Sequence, residues 1–179
     1  MNVNHDNITI TLLGEEGVGK TSIVSQFINH IYLDNRDSSI SGQYYSKNLI
    51  LENKTQIRLN IWDTSGQPRY RSLAKIFFKD SDAIIVVYDI TQQKSFYELK
   101  NYWVEYIKDY YDKDKELVLA IVANKYDSTG GEVDEEVALQ LAEDINAIFS
   151  HVSAKRGIGI DDLFYKIAKK VIKERKREL

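Results

Sequence analysis

Gly14-Glu15-Glu16-Gly17-Val18-Gly19-Lys20-Thr21 decides how this chain folds. The eight residues match G-x-x-x-x-G-K-[ST]. They stand between an apolar stretch of strand length, Asn7 to Leu13, and a stretch of helical period from about Lys20 to His30. That placement turns a pattern into a site. Glycines let a backbone wrap closely around phosphate oxygens, successive N–H groups point inward, and the start of a helix adds positive potential. In such a cradle Lys20 reaches the β- and γ-phosphates and the Thr21 hydroxyl binds magnesium. Glu16, Gly17, Val18, Gly19 and Ser22 are the remaining candidate contacts. The competing reading is a glycine-rich turn with no ligand.

Outward from the loop, strand-length apolar segments alternate with helical ones, the pattern of an α/β fold with crossover helices. Further strands are expected at Gln43 to Leu51, Gln56 to Trp62, Ala83 to Tyr88, Leu117 to Ala123 and Ala147 to Val152. Further helices are expected ending near Lys79, over Gln92 to Tyr110, over Asp134 to Asn146, and from Ile160 to about Arg175. Glu52-Asn53-Lys54-Thr55 reads as the turn of an antiparallel hairpin. The expected architecture is therefore a P-loop fold. It has a six-stranded, mostly parallel sheet with one antiparallel strand and five helices on both faces. Two stretches lack any period, Ile31 to Ser41 and Asp63 to about Arg71, and read as exposed loops.

The length of 179 residues suits one domain, 1–179, and with no cysteine there is neither a disulfide nor a prenylation box. Membrane attachment is expected only through a lipidated tail beyond Leu179, with a lipid-free protein as the alternative reading. No stretch approaches the roughly 20 apolar residues of a membrane span, and the polar start is no signal peptide, so a cytoplasmic domain is expected. The net charge of −3 argues against nucleic acid as partner. Lys169 to Arg177 is locally basic, either the solvated face of a last helix or a membrane-directed patch.

Directly after the strand ending at Ala123 stands Asn124-Lys125-Tyr126-Asp127. Asp127 can accept from the ring N–H and the exocyclic amine of guanine together, and adenine would leave that carboxylate unpaired. Asn124 would tie this loop to the phosphate loop, and the Lys125 stem would lie against the base. Ser153-Ala154-Lys155, after the last strand, offers the Ala154 N–H to the guanine carbonyl.

With these motifs in this order, the chain resembles a Ras-superfamily small GTPase from Asn7 to about Ile172. Trp62-Asp63-Thr64-Ser65-Gly66-Gln67, Arg69-Tyr70-Arg71-Ser72-Leu73 and Tyr88-Asp89-Ile90-Thr91 are most similar to the Rab branch. The resemblance implies a switch cycling between GDP and GTP with magnesium-dependent GTP hydrolysis, and a role in vesicle traffic. It implies catalytic roles for Lys20, Gly66 and Gln67: Gly66 bonds the γ-phosphate and Gln67 positions the attacking water. Asp63 would hold magnesium through water, and Ser39, with Thr21, would be a direct ligand. Tyr32 would lie against the guanine. An exchange factor, an activating protein and effectors are implied at residues 32–45 and 63–79, on a monomer seated peripherally on an intracellular membrane. Tyr32 as a helix-end cap and Ser39 as a turn residue are the plainer readings.

The chain also departs from the family pattern. Ser39 stands where threonine is usual, which predicts a less firmly closed GTP state. Glu16 replaces a small residue beside the γ-phosphate, and opposes it if turned inward but is screened if turned outward, which predicts slow intrinsic hydrolysis with a poor response to an activating protein. Pro68 replaces a glutamate and biases Gln67 toward extended backbone. Ser65 replaces alanine and adds a hydroxyl without an evident use. Two other functions stand beside the switch: a nucleotide-binding module that scarcely hydrolyses, and an ATP-using P-loop enzyme, for which the Asn124 to Asp127 motif has no use.

Overall fold

The computed structural model describes residues 6–32, 42–52, 54–111 and 116–177. Strand β4 (Ala83–Asp89) is buried at every residue, as a parallel strand covered on both faces must be. Its side chains alternate. Ala83, Ile85 and Val87 join one apolar cluster, while Ile84, Val86 and Tyr88 join a second on the other face. In β1 (Asp6–Leu13), Ile8, Ile10 and Leu12 take the first face and Leu13 the second. In β5 (Val118–Asn124), Val118, Ala120 and Val122 likewise oppose Ile121 and Ala123.

With β2 (Gln43–Ile50), β3 (Gln56–Asp63) and β6 (Ile148–His151), the sheet runs in the order β2-β3-β1-β4-β5-β6. Only the β2–β3 pair is antiparallel. The mostly parallel sheet and its single antiparallel strand are as the sequence implies. The chain winds outward from β1 in both directions, so a crevice opens past the C-terminal ends of β1 and β4, where such sheets bind ligands.

Helices α1 (Lys20–Asn29) and α6 (Ile160–Arg175) cover the first face. On α6 the buried residues Ile160, Leu163, Phe164, Ile167, Ala168, Val171 and Ile172 recur at three- and four-residue steps, a single apolar stripe. Phe27 of α1 stacks on Phe164 with ring centroids 3.9 Å apart. Burying one such ring contributes about 1.5–3 kcal/mol, so this pair is a principal joint between the two helices. The second face carries α2 (Ala74–Phe78), a rod made of α3 (Gln93–Glu98), a π turn (Leu99–Trp103) and α4 (Val104–Tyr110), and then α5 (Glu135–Asp144). Counting the rod as one, these make the five expected helices.

Some boundaries differ from expectation. The helix at Gln92 to Tyr110 is interrupted by the π turn, which the apolar period does not reveal. Part of the supposedly irregular piece after Asp63 is a 3-10 helix, Pro68–Leu73, opened by proline at its first position, where no N–H is needed. The first helix stops at Asn29 because His30 is left-handed, φ 54, and returns its N–H to Gln26. Asp134 caps α5 by accepting from the Glu136 N–H, so it lies outside the helix. Among the described residues no helix is long and apolar enough to cross a membrane.

Candidate functional site

The loop after β1 lies in the crevice. Lys20 folds back over it and donates through Nζ to the Gly14 and Glu15 carbonyls, both at 2.8 Å. Burial lowers its pKa from 10.5 to about 8, against the opposing fields of Asp63, Glu15 and Glu16. Thr21 donates through Oγ1 to Asp63 Oδ2 at 2.6 Å, joining the start of α1 to the end of β3. Asp63 is fully buried. Thr64 Oγ1 anchors the next residue on the Leu12 carbonyl at 2.6 Å. Gly66 then crosses so close over the phosphate loop that a Cβ there would lie 2.4 Å from the Glu15 carbonyl. Ser22 and Tyr32 are half-buried, and Tyr32 packs against the first apolar cluster. Ser39 lies outside the described residues.

A second group of loops joins the first through Asn124. Its Nδ2 donates to the Val18 carbonyl at 2.8 Å, and its Oδ1 accepts from the Ala154 N–H at 3.2 Å. One buried side chain thus fastens three loops, from the ends of β1, β5 and β6. Gly19 makes room for it: its φ is +99, and a Cβ there would meet Asn124 Nδ2 at 2.2 Å. Asp127 accepts from Ser153 Oγ at 2.5 Å, while Lys155 is exposed. Lys125 adopts φ 66, and its Nζ meets Asp89 Oδ2 at 2.6 Å. Asp89 is buried, and its other oxygen holds the Thr91 N–H and hydroxyl at 2.9 and 2.7 Å.

The phosphate-loop residues, Thr21, Asp63, Gly66 and the Asn124 to Asp127 motif therefore occupy one edge of the sheet. Comparison with known proteins places the chain in a family: residues 9–173 match the model described as Ras family. The chain belongs to the Ras family. It is 38% identical over 165 residues to the Ras-related protein Rab-22A of Mus musculus, covering 92% of this chain and 83% of that one. It is 39% identical over 165 residues to the Ras-related protein Rab-31 of Homo sapiens, again 92% and 83%. It is 35% identical over 172 residues to the GTP-binding protein ypt5 of Schizosaccharomyces pombe, 95% and 80%. It is a Rab-like small GTPase.

The departures of this Rab-like protein from its family take definite positions. Glu16 is exposed, and its charge still raises the Lys20 pKa against the effect of burial. Gln67 has φ −68 and ψ 134, the extended backbone that Pro68 favours. The Ser65 hydroxyl accepts from the Gln67 N–H at 3.3 Å, and Arg69 Nε donates to Gln67 Oε1 at 2.8 Å. Tyr44, Trp62 and Phe77 form a run of tilted rings with centroids 5.1 and 5.3 Å apart, and Tyr44 is half exposed.

Sequence reasoning missed two anchoring groups. Asp89 appears in it only as part of a family string, yet it holds Lys125. Glu15 passes unremarked beside Glu16, yet its carboxylate is the engaged one: it accepts from the Trp103 indole at 3.0 Å and pairs with Arg71. Arg71 in turn binds Glu98 at 3.0 Å. Neither anchor carries a local signal, because each partner arrives from a distant element.

Proposed function

We propose that this Rab-like protein is a molecular switch that binds GTP or GDP with magnesium, hydrolyses GTP slowly, and regulates vesicle traffic as a monomer on intracellular membranes. The observation that carries this reading is Asn124, whose one side chain joins the Val18 carbonyl to the Ala154 N–H and so makes one unit of phosphate loop and base-reading loops. A single nucleotide can touch both.

Within that unit Lys20 neutralises β- and γ-phosphate charge, and the loop N–H groups from Glu16 to Thr21 wrap the oxygens. Thr21 and Asp63, already in contact through hard oxygen donors, fit a magnesium ion, with Ser39 as a further ligand. Bound there, magnesium supplies positive charge against the transferring phosphoryl group. The Gly66 N–H faces the γ-phosphate and Gln67 orients the attacking water. Asp127, half-buried and held by Ser153, reads the purine edge, and Tyr32 and Lys125 flank it. Exchange factors, activating proteins and effectors engage residues 32–45 and 63–79, where the Tyr44, Trp62 and Phe77 rings offer an aromatic anchor.

One observation favours a second reading, a binding module with scant hydrolysis. The Gln67 carboxamide oxygen is already taken by Arg69. The deciding experiment loads purified protein with GTP and magnesium and follows single-turnover phosphate release, with ATP as competitor. Retention of GTP in the presence of excess ATP, with slow phosphate release, supports the switch. Equal displacement by ATP sinks the guanine reading, and no release over hours selects the binding module. Glu16→Gly is expected to raise the rate, and an unchanged rate would leave Gln67 as the cause of slowness.

A further inference from the structure

The phosphate loop of this chain carries two consecutive carboxylates in a cradle meant for a polyanion, and only one of them turns to solvent. Glu15 keeps its carboxylate largely buried, with 13% of the side chain exposed. One oxygen receives the Trp103 indole N–H from the π turn at 3.0 Å. The other receives the Arg71 guanidinium from the 3-10 helix Pro68–Leu73. Arg71 is itself held by Glu98 at 3.0 Å and lies 4.7 Å over the Tyr102 ring. It is the one cation on the Glu15 carboxylate among the described residues.

We propose that Arg71 is a positioning residue for the nucleotide. By neutralising Glu15 behind the phosphate loop it lets that loop accept phosphate charge, and the same contact fastens to the loop the turn that begins just after Gln67. This inference rests on the guanine-nucleotide reading above. The backbone of Glu15 connects the charge to the site, because its carbonyl is one of the two acceptors that hold the Lys20 amine at 2.8 Å. Without Arg71 a buried carboxylate stands unneutralised. Coulomb repulsion across roughly 10 Å at an effective dielectric of about 20 is worth about a tenfold change in binding for each phosphate charge it opposes. The rod is the fixed side of this joint, since Trp103 is fully buried and Glu98 precedes it on the same rod. The 3-10 helix is the side that the ion pair ties down.

The test is a chase of fluorescent GDP from the full chain in magnesium buffer. Arg71→Met is expected to release GDP about tenfold faster than the unaltered protein, while Arg71→Lys, which keeps the charge, stays within about threefold. The combined Glu15→Gln/Arg71→Met variant is expected to recover most of the loss, because removing the carboxylate removes the repulsion. A merely mechanical anchor gives the opposite result, with the combined variant as fast as Arg71→Met, and that outcome overturns the proposal. Should Arg71→Met fail to fold, the combined variant must still fold and retain GDP; its failure to do so also overturns it. If the unaltered chain retains no GDP, the guanine reading itself falls and takes this inference with it.

Discussion

Replacing Gly19 by alanine tests whether the two halves of the site are one unit. The added Cβ would sit 2.2 Å from Asn124 Nδ2 at a backbone φ of +99, so Asn124 must move. Moving it breaks the bonds to the Val18 carbonyl and the Ala154 N–H, both buried. Leaving buried partners unsatisfied costs about 1–3 kcal/mol each. Left-handed strain adds roughly 1–2 kcal/mol. The structure supplies its own control in Gly17, where φ is +79 but a Cβ would meet nothing within 4 Å. Gly17→Ala therefore carries the strain alone. At about 2–4 °C per kcal/mol for a chain of this size, Gly17→Ala should lower Tm by roughly 5 °C and Gly19→Ala by roughly 15 °C. Thermal unfolding of the nucleotide-free protein measures both, and a GDP chase should show much faster release from Gly19→Ala. Because both act through one side chain, Gly19→Ala with Asn124→Ala should be little worse than the worse single variant. Equal melting of the two glycine variants would refute the crosspiece argument.

Other outcomes follow from particular contacts. Arg69→Ala removes the donor that holds Gln67 Oε1, so single-turnover hydrolysis should rise several-fold; a rate that falls or stays put means Arg69 does not restrain Gln67. Lys20 has its pKa depressed to about 8 in the free protein, and phosphate oxygens should raise it. GDP binding should therefore take up a proton above pH 8, and affinity should fall by up to about tenfold per pH unit beyond it, measurable by calorimetry in buffers of different ionisation enthalpy. The same depression means that the nucleotide-free fold gains stability as pH rises from about 8 toward 10.5, since the charged amine is what burial disfavours. Phe164→Ala empties the joint between α1 and α6 and should cost about 3–5 kcal/mol in urea unfolding, with the slope unchanged.

What was legible in the sequence is what depends on neighbours along the chain. β4 reads as a buried strand because the six successive residues Ala83 to Tyr88 are all apolar, and α6 because its apolar residues recur at helical steps. The phosphate loop and the Asn124 to Asp127 motif are legible for the same reason: each is a short string at the end of a strand, where a parallel sheet gathers its loops on one edge. The tertiary structure alone decided the contacts between those loops. Glu15 and Arg71 are separated by 56 residues and Arg71 and Glu98 by 27, and no period in the sequence marks such pairs. They meet because the sheet order sets β1 beside both β3 and β4, so that the segments following these three strands converge. The sequence by itself could name two adjacent carboxylates in the loop. Which one faces solvent and which is held by an arginine is set by packing, since a charge is buried only where a folded partner arrives to neutralise it.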